Sequence, residues 1–461
     1  KECTKEGGCE GWDVFIECHP PSDCLGTADF LCQQGHTGRM CRSVEDGYFV
    51  VGGQFWAKCG PQGVLINVLG ILAVIVVWVG INAIASGDYD ALDTALLYVQ
   101  ITGMVASYGM KWHSRVDAVN TVLGVANFDV DFVTPMCIGE WTPVHAFYTQ
   151  LILPFIFAAC VATYLPISHV IAKVRGKASE VDFKTLLAEA KSKLINQTLS
   201  FIIIVYHTLC LKCFMVFRCD VFPDGKSYLH FAPDTECWTQ SHKGMVAVAC
   251  LYIPVVLFGV PLFMLHVVRK AMREGTLHDQ HIQSRYGFFY GRYDTEYKWW
   301  ECMIMVRRIA IAFVSVAIDT SMLQAAITIV VLLLLLNLHT ATRPFVSDMI
   351  DTLEVFTLCG SIFYALAGML FYPSITQKAQ GEICVGGKEE EAVSVCQEEL
   401  RFKDVISVLL LVWTACTLAV SFFVAFFRIR EIRASGAATR IIKEKLQIAD
   451  DPVESSLSLG G

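Results

Sequence analysis

The chain has 461 residues, of which 54% are hydrophobic and only 17% are charged, and its formal net charge is −8. Soluble proteins carry about a quarter charged residues, so this composition excludes an ordinary soluble domain. The acidic balance gives no support to nucleic-acid binding. Several continuous apolar runs reach the roughly 20 residues that a helix needs to cross a bilayer. The sequence therefore predicts an integral membrane protein with several spans.

The first predicted unit is a cysteine-rich segment, residues 1–60, which holds seven of the 19 cysteines. A segment of this size builds little core of its own and is held by disulfides. We expect a small extracellular or lumenal module whose disulfide connectivity the sequence leaves open. Because the chain starts at Lys1 without an apolar signal segment, we also expect a processed product or the C-terminal part of a longer polypeptide.

The second predicted unit is a transmembrane domain, residues 61–430, whose apolar runs are continuous and therefore typical of helices rather than of a β-barrel. We predict nine spans, at 63–85, 91–110, 147–172, 194–217, 242–268, 299–318, 321–340, 350–372 and 404–427. The second span is barely long enough and contains Asp93 and Gln100. Residues 431–461 are predicted to be a tail. The expected fold class is an all-α polytopic membrane protein with a small disulfide-rich module.

Basic residues and cysteines predict the same orientation. With the N-terminus outside, the inner loops and the tail to residue 445 hold 19 Lys and Arg, against eight in the four outer loops. Basic residues favour the cytoplasmic side, so the C-terminus is predicted inside. Twelve cysteines fall on the outer side and none in the inner loops or tail, as expected if the outer side is oxidising. A plasma membrane or another surface membrane is the expected location.

Two disulfides are predicted from the outer loops. Cys219 and Cys237 share one short loop, and Cys384 and Cys396 share another, with no other cysteine in either loop. We therefore predict the pairs Cys219–Cys237 and Cys384–Cys396.

The sixth predicted span carries two adjacent arginines, Arg307 and Arg308, near mid-membrane. An arginine at a helix centre costs about 2.5–3.5 kcal/mol on insertion scales, so it needs water or a partner. Side chains lean toward a helix's N-terminus, here the inner side, where the eighth span presents Asp351 and Glu354 on one face. We predict that at least one arginine bonds to one of these carboxylates.

The wider intramembrane charge cluster is expected to comprise Glu301, Arg307, Arg308, His339, Arg343, Asp351 and Glu354. Two roles are open for it, a static brace between helices and a part in gating or in the ion path. Trp299 and Trp300 precede the sixth span and are expected at the inner interface, where amphipathic rings anchor helices.

Motifs of enzymes are missing from the sequence. It contains no Walker loop, HExxH, GxSxG or kinase set, so we expect no enzyme and no catalytic residues. We also expect no cofactor and no metal, because the pair Cys210 and Cys213 has zinc-ligand spacing but no second pair nearby.

Four stretches carry a resemblance to a known family. The stretch "CQQGHTGRMCRSVEDGYFVVGGQFWAKC" resembles EGF-related repeats, and departs from them at residues 42–44, where another cysteine usually follows. The other three stretches are "LLYVQITGMVASYGMKWHSRVDAVNTVLGVANFDVDFVTPMC", "YKWWECMIMVRR" and "LLLLLNLHTATRPFVSDMIDTLEVFTL". Together they resemble, over roughly residues 50–430, protist and algal surface proteins with EGF-like repeats before a TRP- or polycystin-like membrane region.

This resemblance implies a channel-type protein that conducts cations, with its pore among the last four or five spans. We also expect an oligomer or a larger membrane complex. Two roles are open for the N-terminal module, a spacer and a binding site for an extracellular ligand. Two alternatives stay open: a non-conducting cell-surface receptor or adhesion subunit, and a lipid or solute transporter. Among partners we expect the lipid bilayer and no nucleic acid.

Overall fold

A computed structural model describes residues 90–108, 142–174, 183–222, 224–371 and 401–427, with residue 430 and short stretches between 32 and 59 and between 110 and 123. In the N-terminal part, two antiparallel pairs form, β1 (His36–Thr37) with β2 (Ser43–Val44) and β3 (Tyr48–Val51) with β4 (Phe55–Lys58). A disulfide joins Cys32 to Cys41, one of the pairings that the sequence leaves open.

Helices make up most of the remaining described residues. They are α1 (Asp90–Ala106), α2 (Pro143–Val174), α3 (Phe183–Met215), α4 (Gln240–Tyr252), α5 (Gly259–Glu274), α6 (Gln280–Tyr290), α7 (Trp300–Ala317), α8 (Ser321–Thr342), α9 (Asp348–Phe371) and α10 (Arg401–Phe427). A π-helical turn, Ile253–Phe258, joins α4 to α5 without a break. It contains Pro254, which has no N–H to donate to the helix ladder.

Six helical segments of the described chain are long and apolar enough to cross a membrane. They are Pro143–Tyr164, Leu187–Met215, Gln240–Glu274, Ser321–Thr342, Asp348–Phe371 and Arg401–Phe427. Each coincides with a predicted span, so a helical membrane protein with several spans is confirmed.

The other three predicted spans differ from these six. The second corresponds to α1, which ends at Ala106 and has 17 residues, fewer than the roughly 20 that a helix needs to cross a bilayer. The sixth corresponds to α7, which carries three charged residues within 18. The first predicted span, 63–85, lies outside the described residues. The count of nine spans and the orientation of the chain in the membrane therefore stay predictions.

Two hydrophobic cores share α7. One core is built mainly from α1, α8, α9 and α10, and the other from α2 to α6. Ile304 and Ile311 of α7 belong to the first core, and Met305 belongs to the second. Residues three, four or seven apart lie on one face of a helix. Arg307 therefore falls on the first face and Arg308 on the second.

A small antiparallel sheet follows α3, although the predicted all-α fold did not include it. It has the order β5 (Cys219–Val221), β6 (Ser227–Leu229) and β7 (Ala232–Glu236). Gly225, with φ of 75°, allows the tight turn between β5 and β6. The predicted disulfide Cys219–Cys237 is confirmed, with the two Cα atoms 6.4 Å apart. The predicted pair Cys384–Cys396 lies outside the described residues.

Candidate functional site: charged groups between the helices

Arg307 forms a buried ion pair between α7 and α9. Its Nη1 donates to Glu354 Oε1 at 2.8 Å, and the two side chains are only 4% and 5% exposed. This is one of the contacts predicted from the sequence. Arg307 Nε and Nη2 have no hydrogen-bond partner among the described residues. The pair therefore makes a single contact, without the second parallel hydrogen bond of a bidentate pair.

His339 and Asp351 form a second buried contact, which joins the end of α8 to the start of α9. His339 Nε2 lies 3.3 Å from Asp351 Oδ1, and the same oxygen accepts the backbone N–H of Phe345 at 3.3 Å. Asp351 thus holds the connection between the two helices as well as the histidine ring. The two contacts meet at a small cleft lined in part by Trp300, Arg307, His339 and Glu354.

Arg343 does not join these groups, although the sequence places it with them. It ends α8 in the left-handed conformation, with φ of 44°, and this turns the chain out of the helix. Its side chain is 61% exposed, and Nη2 lies 3.8 Å from Asp348 Oδ1, itself 92% exposed. Such an exposed pair contributes little to stability.

Arg308 has a different kind of partner from Arg307. It is 1% exposed, and its Nη1 donates to the backbone oxygen of Ile203 in α3. Its Nε and Nη2 have no hydrogen-bond partner among the described residues. Arg308 therefore bonds to the backbone of the second core instead of to Asp351 or Glu354.

Glu301 belongs to a separate buried group that sequence reasoning missed. Arg292, in the segment before α7, donates from Nη2 to Glu301 Oε2 and from Nη1 to Asp93 Oδ2, the latter at 2.8 Å. Tyr293 donates its hydroxyl to Glu301 at 2.7 Å. One arginine thus ties α1 to the start of α7. The sequence offered one signal for this group, Asp93, because a carboxylate inside an apolar run needs a cationic partner.

The tryptophan pair is placed differently from the prediction. Trp300 is 4% exposed and packs in the first core, with its ring edge-to-face against His339 at a centroid distance of 6.1 Å. Trp299 is only half-buried. The position of Trp300 follows from its register, because it shares a helix face with Ile304 and Arg307. Trp300 thus packs in the protein core, and an anchoring role at the interface stays a prediction for Trp299.

The buried contacts of Arg307, Arg308, Arg292 and Asp351 share one property: each joins helices through a buried charge. Together they link α1, α3 and α9 to α7, and α8 to α9. Fixed ion pairs and backbone hydrogen bonds suit the mechanical and electrostatic coupling of helices, because breaking one leaves an uncompensated charge in a poorly solvated interior.

Comparison with known proteins agrees with this architecture. The family model described as "Transient receptor potential (TRP) ion channel" matches residues 140–385, more than half of the chain, from α2 through α9. No curated protein and no solved structure matches the chain. The channel part of the sequence resemblance is thereby confirmed, whereas the EGF-like character of the N-terminal module stays a prediction. The chain belongs to the transient receptor potential (TRP) ion channel family.

Proposed function

We propose that the chain is a subunit of a cation-conducting channel in a surface membrane. The observation that carries this proposal is the TRP match over residues 140–385. That segment includes five of the six bilayer-length helical segments and the buried pair Arg307–Glu354. The family is one of channels rather than of enzymes, which supports a transport function.

Cation preference is supported by charge on the outer side. In the proposed orientation, residues 1–62 and the four outer loops hold 24 Asp and Glu against 13 Lys and Arg. Such an excess raises the local concentration of cations near a membrane mouth. The pore is expected among the last four or five spans, on the basis of the sequence resemblance.

An oligomer is supported by apolar surface on the outer helices. Only 22% of the apolar window of α8 and 33% of that of α10 is buried within the chain. In a membrane, these faces contact lipid or neighbouring subunits. We propose that several copies of the chain assemble around one pore, as is typical of the family.

Within this channel, we propose that the pair Arg307–Glu354 braces α7 against α9. Both side chains are almost fully buried, and they join a helix shared by both cores to a helix of the first core. A brace keeps these helices in register while the channel opens and closes. The sequence also leaves open a role in gating or in the ion path. That role would require the charges of Arg307 and Glu354, so replacing both residues with apolar ones distinguishes it from a brace.

Single-channel recording tests the channel proposal. The full chain, purified and reconstituted in planar bilayers, should show discrete current steps under at least one of tension, voltage and calcium. Vesicles from the same preparation without the protein provide the background. Silence under all three stimuli, from protein that is folded and monodisperse, would contradict the proposal and favour a non-conducting receptor subunit.

A further inference from the structure

Between β1 and β2, Cys41 is tied to several neighbouring residues of the N-terminal module. Cys41 is bonded to Cys32, its backbone N–H donates to Gly38 O at 3.3 Å, and His36 Nδ1 donates to Cys41 O at 3.1 Å. A surface fixed in this way loses little conformational entropy when it binds another surface.

Two residues beside Cys41 in the fold, Gly38 and Ser43, contact the sheet that follows α3. Ser43 Oγ donates to Asp234 Oδ2 of β7, a residue 191 positions away in the chain. Gly38 lies against the same carboxylate. A Cβ added at Gly38 would overlap Asp234 Oδ2 and would lie 2.8 Å from Ser43 Oγ. A side chain at position 38 therefore requires Asp234 or Ser43 to move.

From β7 the structure continues directly to the membrane helices. Cys237, which follows β7, is bonded to Cys219 after α3. The N–H of Trp238 donates to His242 Nδ1 at 2.9 Å, and His242 Nε2 donates to the backbone oxygen of Val216 at 2.9 Å. His242 is in the first turn of α4, so the sheet is tied to the end of α3 and to the start of α4.

We propose that β7 is the docking surface for the cysteine-rich module of this same chain, and that docking fixes the facing ends of α3 and α4. The occupant is the β1–β2 loop, which contributes Gly38 and Ser43. This inference concerns the ectodomain rather than conduction. Its test is therefore independent of the test of the channel proposal.

Two glycine substitutions provide a matched test. Gly38 and Gly47 both have positive φ, at 75° and 87°, so alanine causes similar backbone strain at both. Only at Gly38 does the added Cβ meet Asp234, because nothing lies within 4 Å at Gly47. If Asp234 rotates away from the new Cβ, its bond to Ser43 is lost as well. Gly38→Ala should therefore undock the loop, and Gly47→Ala should not.

Hydrogen exchange of the full chain in detergent measures the result. We expect exchange of the amides at 232, 234–236 and 240–244 to be at least about threefold faster in Gly38→Ala than in Gly47→Ala, as for loss of one weak hydrogen bond. Equal exchange in the two variants would overturn the proposal. Should Gly38→Ala fail to fold, Asp234→Ala removes the acceptor without backbone strain. It must accelerate the same amides, and unchanged exchange there would equally overturn the proposal.

Discussion

Arg307 and Arg308 are adjacent in the chain but lie in different parts of the protein. A rotation of about 100° per helical residue places Arg307 in the core with α9 and Arg308 in the core with α3. Each guanidinium group then bonds to the polar group nearest to its own face. Two adjacent charges inside an apolar helix are therefore explained by the position of α7 between two cores.

Removing the carboxylate of Glu354 should destabilise the protein. Glu354→Gln leaves the buried charge of Arg307 without its counter-ion, and breaking a buried pair costs about 3–5 kcal/mol. We expect a loss of about 3 kcal/mol, because the glutamine oxygen still accepts a hydrogen bond. The midpoint of thermal unfolding in detergent should fall. Asp348→Asn, at a residue that is 92% exposed, is the control, and equal midpoints for the two variants would contradict the account.

Replacing both charges should separate a brace from an ion-path role. Apolar replacement of a complete buried pair is often neutral or stabilising, so Arg307→Met combined with Glu354→Met should unfold near the wild-type midpoint. A brace also predicts wild-type single-channel conductance for this double variant. A stable double variant with altered conductance would show instead that the charges act on the permeating ion.

The residues of the site could be predicted from the sequence only in part. The contact Arg307–Glu354 follows from depth in the membrane and from side-chain tilt, both of which depend on helix geometry. The partner of Arg308 is a backbone oxygen of α3, and no side-chain pattern marks such an acceptor. Arg292 joins segments that are far apart in the chain, so its two carboxylates become neighbours only in the folded protein.

The helix α9 packs closely on its neighbours at two glycines. It contributes Gly360, where a Cβ would overlap Trp413 Nε1 of α10 and lie 3.0 Å from Tyr98 Cε2 of α1. At Gly368 a Cβ would overlap Met110 Sδ and lie 2.9 Å from the ring of Trp112. Small residues at such positions let helix surfaces approach in membranes. The contacts of α9 with α1 and α10 therefore depend on Gly360, and its contact with the segment after α1 depends on Gly368.

An added methyl group at Gly360 should therefore loosen this packing. Gly360→Ala inserts a Cβ between α1 and α10, and overpacking of this kind costs about 1–3 kcal/mol. We expect a lower unfolding midpoint in detergent. Gly287→Ala in α6 is the matched control, because its Cβ would meet only the flexible side chain of Gln283, at 3.3 Å. A midpoint for Gly360→Ala that is not below that of the control would show that α9 tolerates wider spacing.

Periodicity explains which elements were predicted. Long apolar runs identify membrane helices reliably, because backbone groups in lipid must be satisfied internally. The strands β5, β6 and β7 have three to five residues each, too few for alternation to be recognised. At the end of α1, Trp112 Nε1 donates to Ala106 O at the last residue of the helix, and no apolar periodicity marks such a side-chain contact.

For the whole molecule, the charge and cysteine distributions predict an outer N-terminus and an inner C-terminus. Epitope tags at the two ends test this orientation in intact cells. We expect antibody to reach the N-terminal tag without permeabilisation, and the C-terminal tag only after it. The opposite pattern would show that the orientation is the reverse of the predicted one, with the acidic segments on the inner side.

The reversal potential measures whether this member of the TRP family conducts cations, as we propose. In a tenfold KCl gradient across a planar bilayer, perfect selectivity for potassium over chloride displaces the reversal potential by about 59 mV toward the potassium equilibrium potential. We predict a displacement in that direction for the purified chain. A reversal potential at zero or on the chloride side would contradict the claim.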